Sequence, residues 1–279
     1  MNIFCISDLH LDLTNSKPMD IFGSSWENYL EEIEKSWEEN VKDEDIVLIS
    51  GDISWAMTLK EFEKDLDYLK KFRGKIVLNR GNHDYWWSSI TQIRNILPKN
   101  IYALQNDFIR FENVLICATR GWELPERNEE INETMQKMID RELIRMELSL
   151  SQMQAQRKET DTVIYMLHYP PFNSTRQQNA FLDLLENDEK HSKTGEKANK
   201  LFKQIFDLEN EIHKIVSNEW SRIVTPFNKI ENGKDFILFG YSCNKDLKYV
   251  PYGLSLQLPI YLYLVKKSSL FSNPKFTGF

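Results

Sequence analysis

Short runs rich in Ile, Val and Leu recur along this chain, and four of them stop abruptly at residues able to bind a metal. Residues 2–7 run into Asp8-Leu9-His10, and residues 45–50 into Gly51-Asp52. Residues 75–80 run into Gly81-Asn82-His83-Asp84, and residues 162–167 into His168. Runs of this length bounded by turn residues predict buried strands. Between them the period changes. Residues 26–41 carry Tyr29, Leu30 and Ile33 at helical spacing, residues 59–72 carry Phe62, Leu66 and Leu69, and residues 88–97 predict a third helix. Strands alternating with helices predict a layered α/β fold. Shorter strand-like pieces follow at 101–104 and 114–117. A long helix is predicted over 131–158, where Ile131, Met135, Ile139, Leu143, Met146, Leu150 and Met153 form one apolar stripe that would cover a sheet face. Pro170 and Pro171 impose an extended loop after His168.

Near residue 185 the pattern changes. Residues 187–200 are dense in Lys, Glu, Asn and Thr and read as a solvated loop or linker. Leu201, Ile205, Leu208, Ile212 and Ile215 predict an amphipathic helix, residues 236–239 and 261–265 are strand-like, and residues 268–279 lose all periodicity. The chain thus divides into residues 1–185 and a divergent C-terminal segment, 186–279, of unknown origin.

Composition narrows the function classes. A net charge of −7 and a pI near 5.4 argue against a broad nucleic-acid surface, though a bound metal pair can reverse the field locally. Cys5, Cys117 and Cys243 are scattered and odd in number, which fits a reducing compartment. The first residues enter a strand without a basic n-region, so no signal peptide is expected, and no apolar run is long enough to span a bilayer. A cytoplasmic protein is the expectation. No GxxxxGK[ST] or GxGxxG appears, which leaves little room for an ATPase or kinase.

Ligands in open α/β sheets collect at the carboxyl ends of strands, so Asp8, His10, Asp52, Asn82, His83 and His168 are expected along one rim. In an extended segment residues i and i+2 face the same way, which would let Asp8 and His10 grip one ion. The Asp52 carboxylate can bridge two ions. Asn82 offers an amide oxygen and His168 an imidazole to the second. Mixed N/O ligands favour Mn, Fe, Zn or Co over calcium. His83 would protonate a leaving oxygen, with Asp84 holding its tautomer. Asn82, His83 and Arg120 are the candidate contacts to a phosphorylated substrate. Trp86 and Trp87 could wall a base or simply pack, and packing is favoured. Each motif alone has a plain reading as a cap, a turn or a core histidine; their conjunction in order points to a metal-dependent hydrolase.

Asp8-Leu9-His10, Gly51-Asp52, Gly81-Asn82-His83-Asp84 and His168 resemble the signature blocks of the calcineurin-like metallophosphoesterases. The surrounding Tyr85-Trp86-Trp87, Thr119-Arg120-Gly121-Trp122 and Tyr169-Pro170-Pro171-Phe172-Asn173 are similar to a bacterial branch labelled predicted phosphohydrolases. The resemblance spans roughly residues 1–185. It implies a metallophosphoesterase-type β-sandwich flanked by helices and hydrolysis of a phosphate monoester or diester. Asp8 and His10 would bind one ion, Asn82 and His168 the other, with Asp52 between them and His83 as general acid. The family's further Gly-His-x-His block is missing. The chain has five histidines, of which His191 falls in the charged linker and His213 on a helix. After the apolar run 235–239 and Gly240, Tyr241 and Cys243 stand where the two histidines would be. A frameshift, fusion or insertion would account for the change. Loss of a ligand from each ion would weaken both sites, so the alternative is an inactive protein of this fold with a binding role, or a disrupted gene product.

Overall fold

In a computed structural model of the chain, the described residues are 1–14, 17, 19, 26, 28–125, 129–173, 178–190, 228–230, 235–239 and 261–265. His191, His213, Tyr241, Cys243 and the helix expected over 201–215 lie outside them. The first half contains β1 (Ile3–Ile6), α1 (Tyr29–Asn40), β2 (Ile46–Ser50), α2 (Leu59–Leu69), β3 (Lys75–Asn79), α3 (Ile90–Ile96) and β4 (Ile101–Leu104). Then come β5 (Asp107–Phe111), β6 (Val114–Thr119), α4 (Glu133–Gln154), β7 (Thr162–Leu167), α5 (Ala180–Lys190), β8 (Asn228–Ile230), β9 (Asp235–Phe239) and β10 (Tyr261–Val265).

Two five-stranded sheets, ordered β4-β3-β2-β1-β8 and β10-β9-β7-β6-β5, pack face to face with helices outside, the expected layered α/β sandwich. Strands β1 to β4 pair in parallel, as do β6, β7 and β9, while β8, β5 and β10 add antiparallel edges. Period-two alternation decides what each face touches. Val114, Ile116, Ala118, Ile164 and Met166 join the core between the sheets. Their neighbours Leu115, Cys117, Val163, Tyr165 and Leu167 pack with Ile139, Met146 and Leu150 of α4 and Phe181 of α5. Trp86 and Trp87 are buried, and Trp86 stacks on Phe62 with ring centroids 3.5 Å apart; they are packing residues.

Capping trims the predicted helices. The Thr58, Ser89 and Asn132 side chains accept the backbone N–H of Glu61, Gln92 and Met135, so α2 starts at residue 59 as predicted while α3 and α4 start two residues inside the predicted bounds. Ile131 therefore falls outside α4 and is exposed, the one member of the predicted stripe that does not pack. The solvated segment expected from residue 187 is helical through Lys190, because α5 nucleates on buried Phe181, Leu182 and Leu185. β5 was not legible: its five residues are all half-buried, with no clean alternation. β8, three residues long, was likewise missed. No helix among the described residues is long and apolar enough to cross a membrane.

One fork of charge ties the edge of the second sheet. Arg110 donates from Nη1 and Nη2 to the two Asp161 oxygens, each at 2.8 Å, and holds that carboxyl below the usual range. A carboxyl whose folded pKa is depressed stabilises above its unfolded value and loses that contribution as pH falls through the folded one. Asp161→Asn is expected to lower unfolding free energy by about 1–2 kcal/mol at neutral pH. Chemical denaturation should show the gap closing once pH drops below about 4.

Candidate metal centre

The loops leaving β1 and β2 lie side by side because they hydrogen-bond to each other. Asp8 N–H donates to Gly51 O at 3.1 Å, His10 N–H to Asp52 O at 2.9 Å and Leu11 N–H to Ile53 O at 2.9 Å. Asp8, His10 and Asp52 all adopt the left-handed region, at φ 56°, 45° and 51°. The extended-chain alternation expected to bring Asp8 and His10 together is not what does so; left-handed turns aim both inward. Each such residue costs on the order of 1–3 kcal/mol and persists only where its surroundings over-determine it, which is common at functional sites. Gly51, at φ 88°, carries the turn before Asp52, and a Cβ there would stand 2.6 Å from His168 Nδ1.

The Asp52 carboxylate divides its oxygens between two groups. Oδ2 lies 3.7 Å from His10 Nε2, which is itself 3.8 Å from Asp8 Oδ1. Ser7 Oγ donates to the other Asp8 oxygen. Asp8 Oδ1 and Asp52 Oδ2 are buried without a hydrogen-bond partner, and ligand atoms of the three residues lie within 4.8 Å of one another. Two unpartnered carboxylate oxygens and an imidazole nitrogen at such closeness are a donor set suited to a cation.

The second group forms around Oδ1, which accepts the His83 N–H at 2.8 Å and lies 3.5 Å from His168 Nε2. His168 Nδ1 is 2.9 Å from Ser50 O. A carbonyl can only accept, so the proton sits on Nδ1 and Nε2 keeps its lone pair. That lone pair faces Asn82 Oδ1 at 2.7 Å. Three acceptors meet with no proton between His168 and Asn82, an arrangement a cation would relieve. Burial pushes His168 down to about 4 and His10 down to about 3, so both rings are neutral and able to ligate at pH 7. Burial pushes Asp52 up to about 6 and Asp8 well above its ordinary value, with Asp52 adding to the latter; positive charge would reverse this.

His83 stands at the mouth, with Nε2 4.0 Å from Asp52 Oδ2. Its ring lies 4.9 Å from Trp55, which stacks on His10 at 4.6 Å and 21°. Burial, more than any neighbour, lowers the His83 pKa, and Asp52 opposes the shift. Asp84 differs from its expected role. Its Oδ1 accepts from Ile53 N, Ser54 N and Trp86 Nε1, and its Oδ2 from Gly81 N at 2.7 Å. Fully buried, it clamps the Asp52 and Asn82 loops together instead of orienting the His83 ring. Arg120 reaches Glu142 Oε1 at 3.4 Å, and its charge acts on both Asp52 and His168.

All six rim residues thus come together, with Arg120 beside them. Sequence reasoning passed over Ser50, whose carbonyl sets the His168 tautomer, and Trp55, which backs His10. A buried serine closing an otherwise aliphatic strand was a signal for the first; Trp55 had none.

A sequence model described as calcineurin-like phosphoesterase matches residues 1–240. The match runs past the residues that carry the motif resemblance, through β9, whose Phe239 lies in register with Leu167 just before His168. No curated protein matches the chain. Among solved structures, a protein of unknown function, AQ665, from Aquifex aeolicus is 20% identical, with a TM-score of 0.34, covering 65% of this chain and 84% of that one. Phosphopantetheinyl hydrolase (PptH) from Mycobacterium tuberculosis is 13% identical, with a TM-score of 0.39, covering 66% of this chain and 74% of that one. Both TM-scores lie below 0.5, and neither likeness bears on the chemistry.

Proposed function

Because the chain belongs to the calcineurin-like phosphoesterase family, we propose that it hydrolyses a small phosphate monoester or diester at a pair of divalent cations. The observation that carries this reading is the division of the Asp52 oxygens between the Asp8–His10 group and the Asn82–His168 group. Asp8, His10 and Asp52 would hold one ion, and Asp52, Asn82 and His168 the other. Mn, Fe, Zn and Co all suit these donors. When bound, such ions supply charge that neutralises the phosphate and favours ionised water.

The remaining steps belong to side chains. Asn82 and Arg120 bind and orient the phosphate. His83 sits where an exiting oxygen can take its proton, and its backbone N–H keeps Asp52 turned toward both groups. Asp84 keeps the His83 loop level with Asp52. The reading includes a small phosphorylated substrate, a cytoplasmic setting, no membrane partner and no broad nucleic-acid surface, the last in accord with the acidic composition.

The test is hydrolysis of 4-nitrophenyl phosphate and its bis-ester by the purified chain with Mn²⁺. His83→Asn should lower kcat by about 10²–10⁴-fold while leaving the metal content unchanged. Inactivity across Mn²⁺, Fe²⁺, Zn²⁺ and Co²⁺ would sink the proposal and leave the inactive binding protein, which the missing Gly-His-x-His block favours. Two tightly held ions per chain would rule that second reading out.

A further inference from the structure

Three arginines crowd one flank of this centre, and one of them has no ion-pair partner among the described residues. Asn79 Nδ2 donates to Thr119 O at 2.9 Å, so Arg80 and Arg120, the next residues, leave β3 and β6 side by side. Both adjoin the Asn82–His168 group: Arg80 precedes Gly81-Asn82, and Arg120 O accepts the N–H of His168 at 3.1 Å and of Tyr169 at 2.9 Å. A third guanidinium arrives from α4. Arg145 Nη1 lies 2.6 Å from Glu142 Oε1, the same oxygen that Arg120 Nη2 approaches at 3.4 Å.

Glu142 is the one carboxylate that ion-pairs with this group among the described residues, and it is fully buried, with its other oxygen 3.4 Å from Thr119 Oγ1. Arg80 makes no hydrogen bond or ion pair among the described residues, and its Nε is shut away from solvent, as is the unpartnered Nε of Arg120. Asp84 is within electrostatic reach of Arg80, but its oxygens are taken by four N–H groups. Burial, then Arg120, and more weakly Arg145, lower the Arg80 pKa, while Asp84 and Glu142 oppose the shift. Three half-buried guanidinium groups gathered around one paired carboxylate are costly, and planar forks of this kind match phosphate oxygens. The His83 ring, by contrast, lies against the Asp8–His10 group, 5.7 Å from the His10 ring.

We propose that Arg80, Arg120 and Arg145 form a second anion subsite beside the Asn82–His168 group, which takes a phosphate of the substrate other than the one hydrolysed. This rests on the phosphoesterase reading and narrows it to substrates carrying two phosphate groups close together, such as a diphosphate. The Arg120 charge acts on Asp52 and His168 as well as on Arg80, which links the two positions. Glu142 gathers Arg120 and Arg145 through Oε1, an acceptor that a glutamine side chain would retain.

Methylenebisphosphonate and methylphosphonate, neither of which can be hydrolysed, are the probes, with binding to the Mn²⁺-loaded full chain read by calorimetry. The wild type is expected to prefer the bisphosphonate, and Arg80→Met and Arg145→Met should each reduce that preference about tenfold. The ions' own affinity for the bisphosphonate is common to all variants and cancels. Glu142→Gln, which removes the compensating charge, should keep or raise the preference. A preference within twofold of wild type in both arginine variants overturns the proposal. So does an equal fall in Glu142→Gln, which would assign the cluster to structure. Binding is measured without turnover, so a chain inactive on 4-nitrophenyl phosphate would sink the phosphoesterase reading while leaving this result legible.

Discussion

Asp52→Asn is expected to cut phosphoesterase activity by about 10³-fold or more, the loss that follows from removing several kcal/mol of charge stabilisation. The substitution keeps the size and hydrogen-bonding shape of the side chain but takes away the anion shared by both ligand groups. Oδ2 faces His10 and Oδ1 faces His168, so one change should weaken both proposed ions together. The metal-free protein should behave differently. Burial makes the Asp52 carboxylate costly there, so the Asn variant should melt no lower than wild type without metal. Mn²⁺ should then raise the melting temperature of wild type only, since an ion that binds the folded chain stabilises it appreciably only when its concentration exceeds its Kd. Calorimetric stoichiometry together with thermal melts checks both halves. Two ions still bound tightly by Asp52→Asn would show that the carboxylate does not bridge.

Gly81→Ala should be nearly as damaging without replacing any ligand residue. A Cβ at this position would lie 2.1 Å from Asp52 Oδ1 and 2.2 Å from Asp52 N. The obstacle is contact alone, as Gly81 is not among the residues with positive φ. The Asp52 backbone is bound to the β1 loop through His10 N–H, and the Asp84 carboxylate ties Gly81 N to Ile53 N, so neither partner can easily retreat. Activity should fall by about 10²–10³-fold or more, comparable to removing a group aimed at the transition state. Unlike Asp52→Asn, this variant should also lose about 1–3 kcal/mol of stability with or without metal, the usual cost of overpacking. Melting as high as wild type while losing both ions would refute the steric account.

Much of the fold was legible because burial is encoded locally. Each aliphatic run became a strand, and helical spacing placed α1 to α4 within a few residues, with caps setting the ends. What failed to show was the edge: β5, half-buried along its length, and β8, three residues long, owe their state to the partner strand beside them. The predicted helix over 201–215 lies outside the described residues.

The site divides along the same line. Residue types and their places at strand ends already named Asp8, His10, Asp52, Asn82, His83 and His168, because a donor must be the right element and a strand must stop for its side chain to reach the rim. Tertiary structure alone decided that three of these residues sit in left-handed backbone, that Asp84 braces loops and not an imidazole, and that Ser50 fixes the His168 proton. It also brought Arg80, Arg120 and Arg145 around one buried glutamate. These facts depend on contacts between distant segments, such as His168 with Ser50, 118 positions apart. Local pattern records whether a residue is covered, not which distant atom covers it.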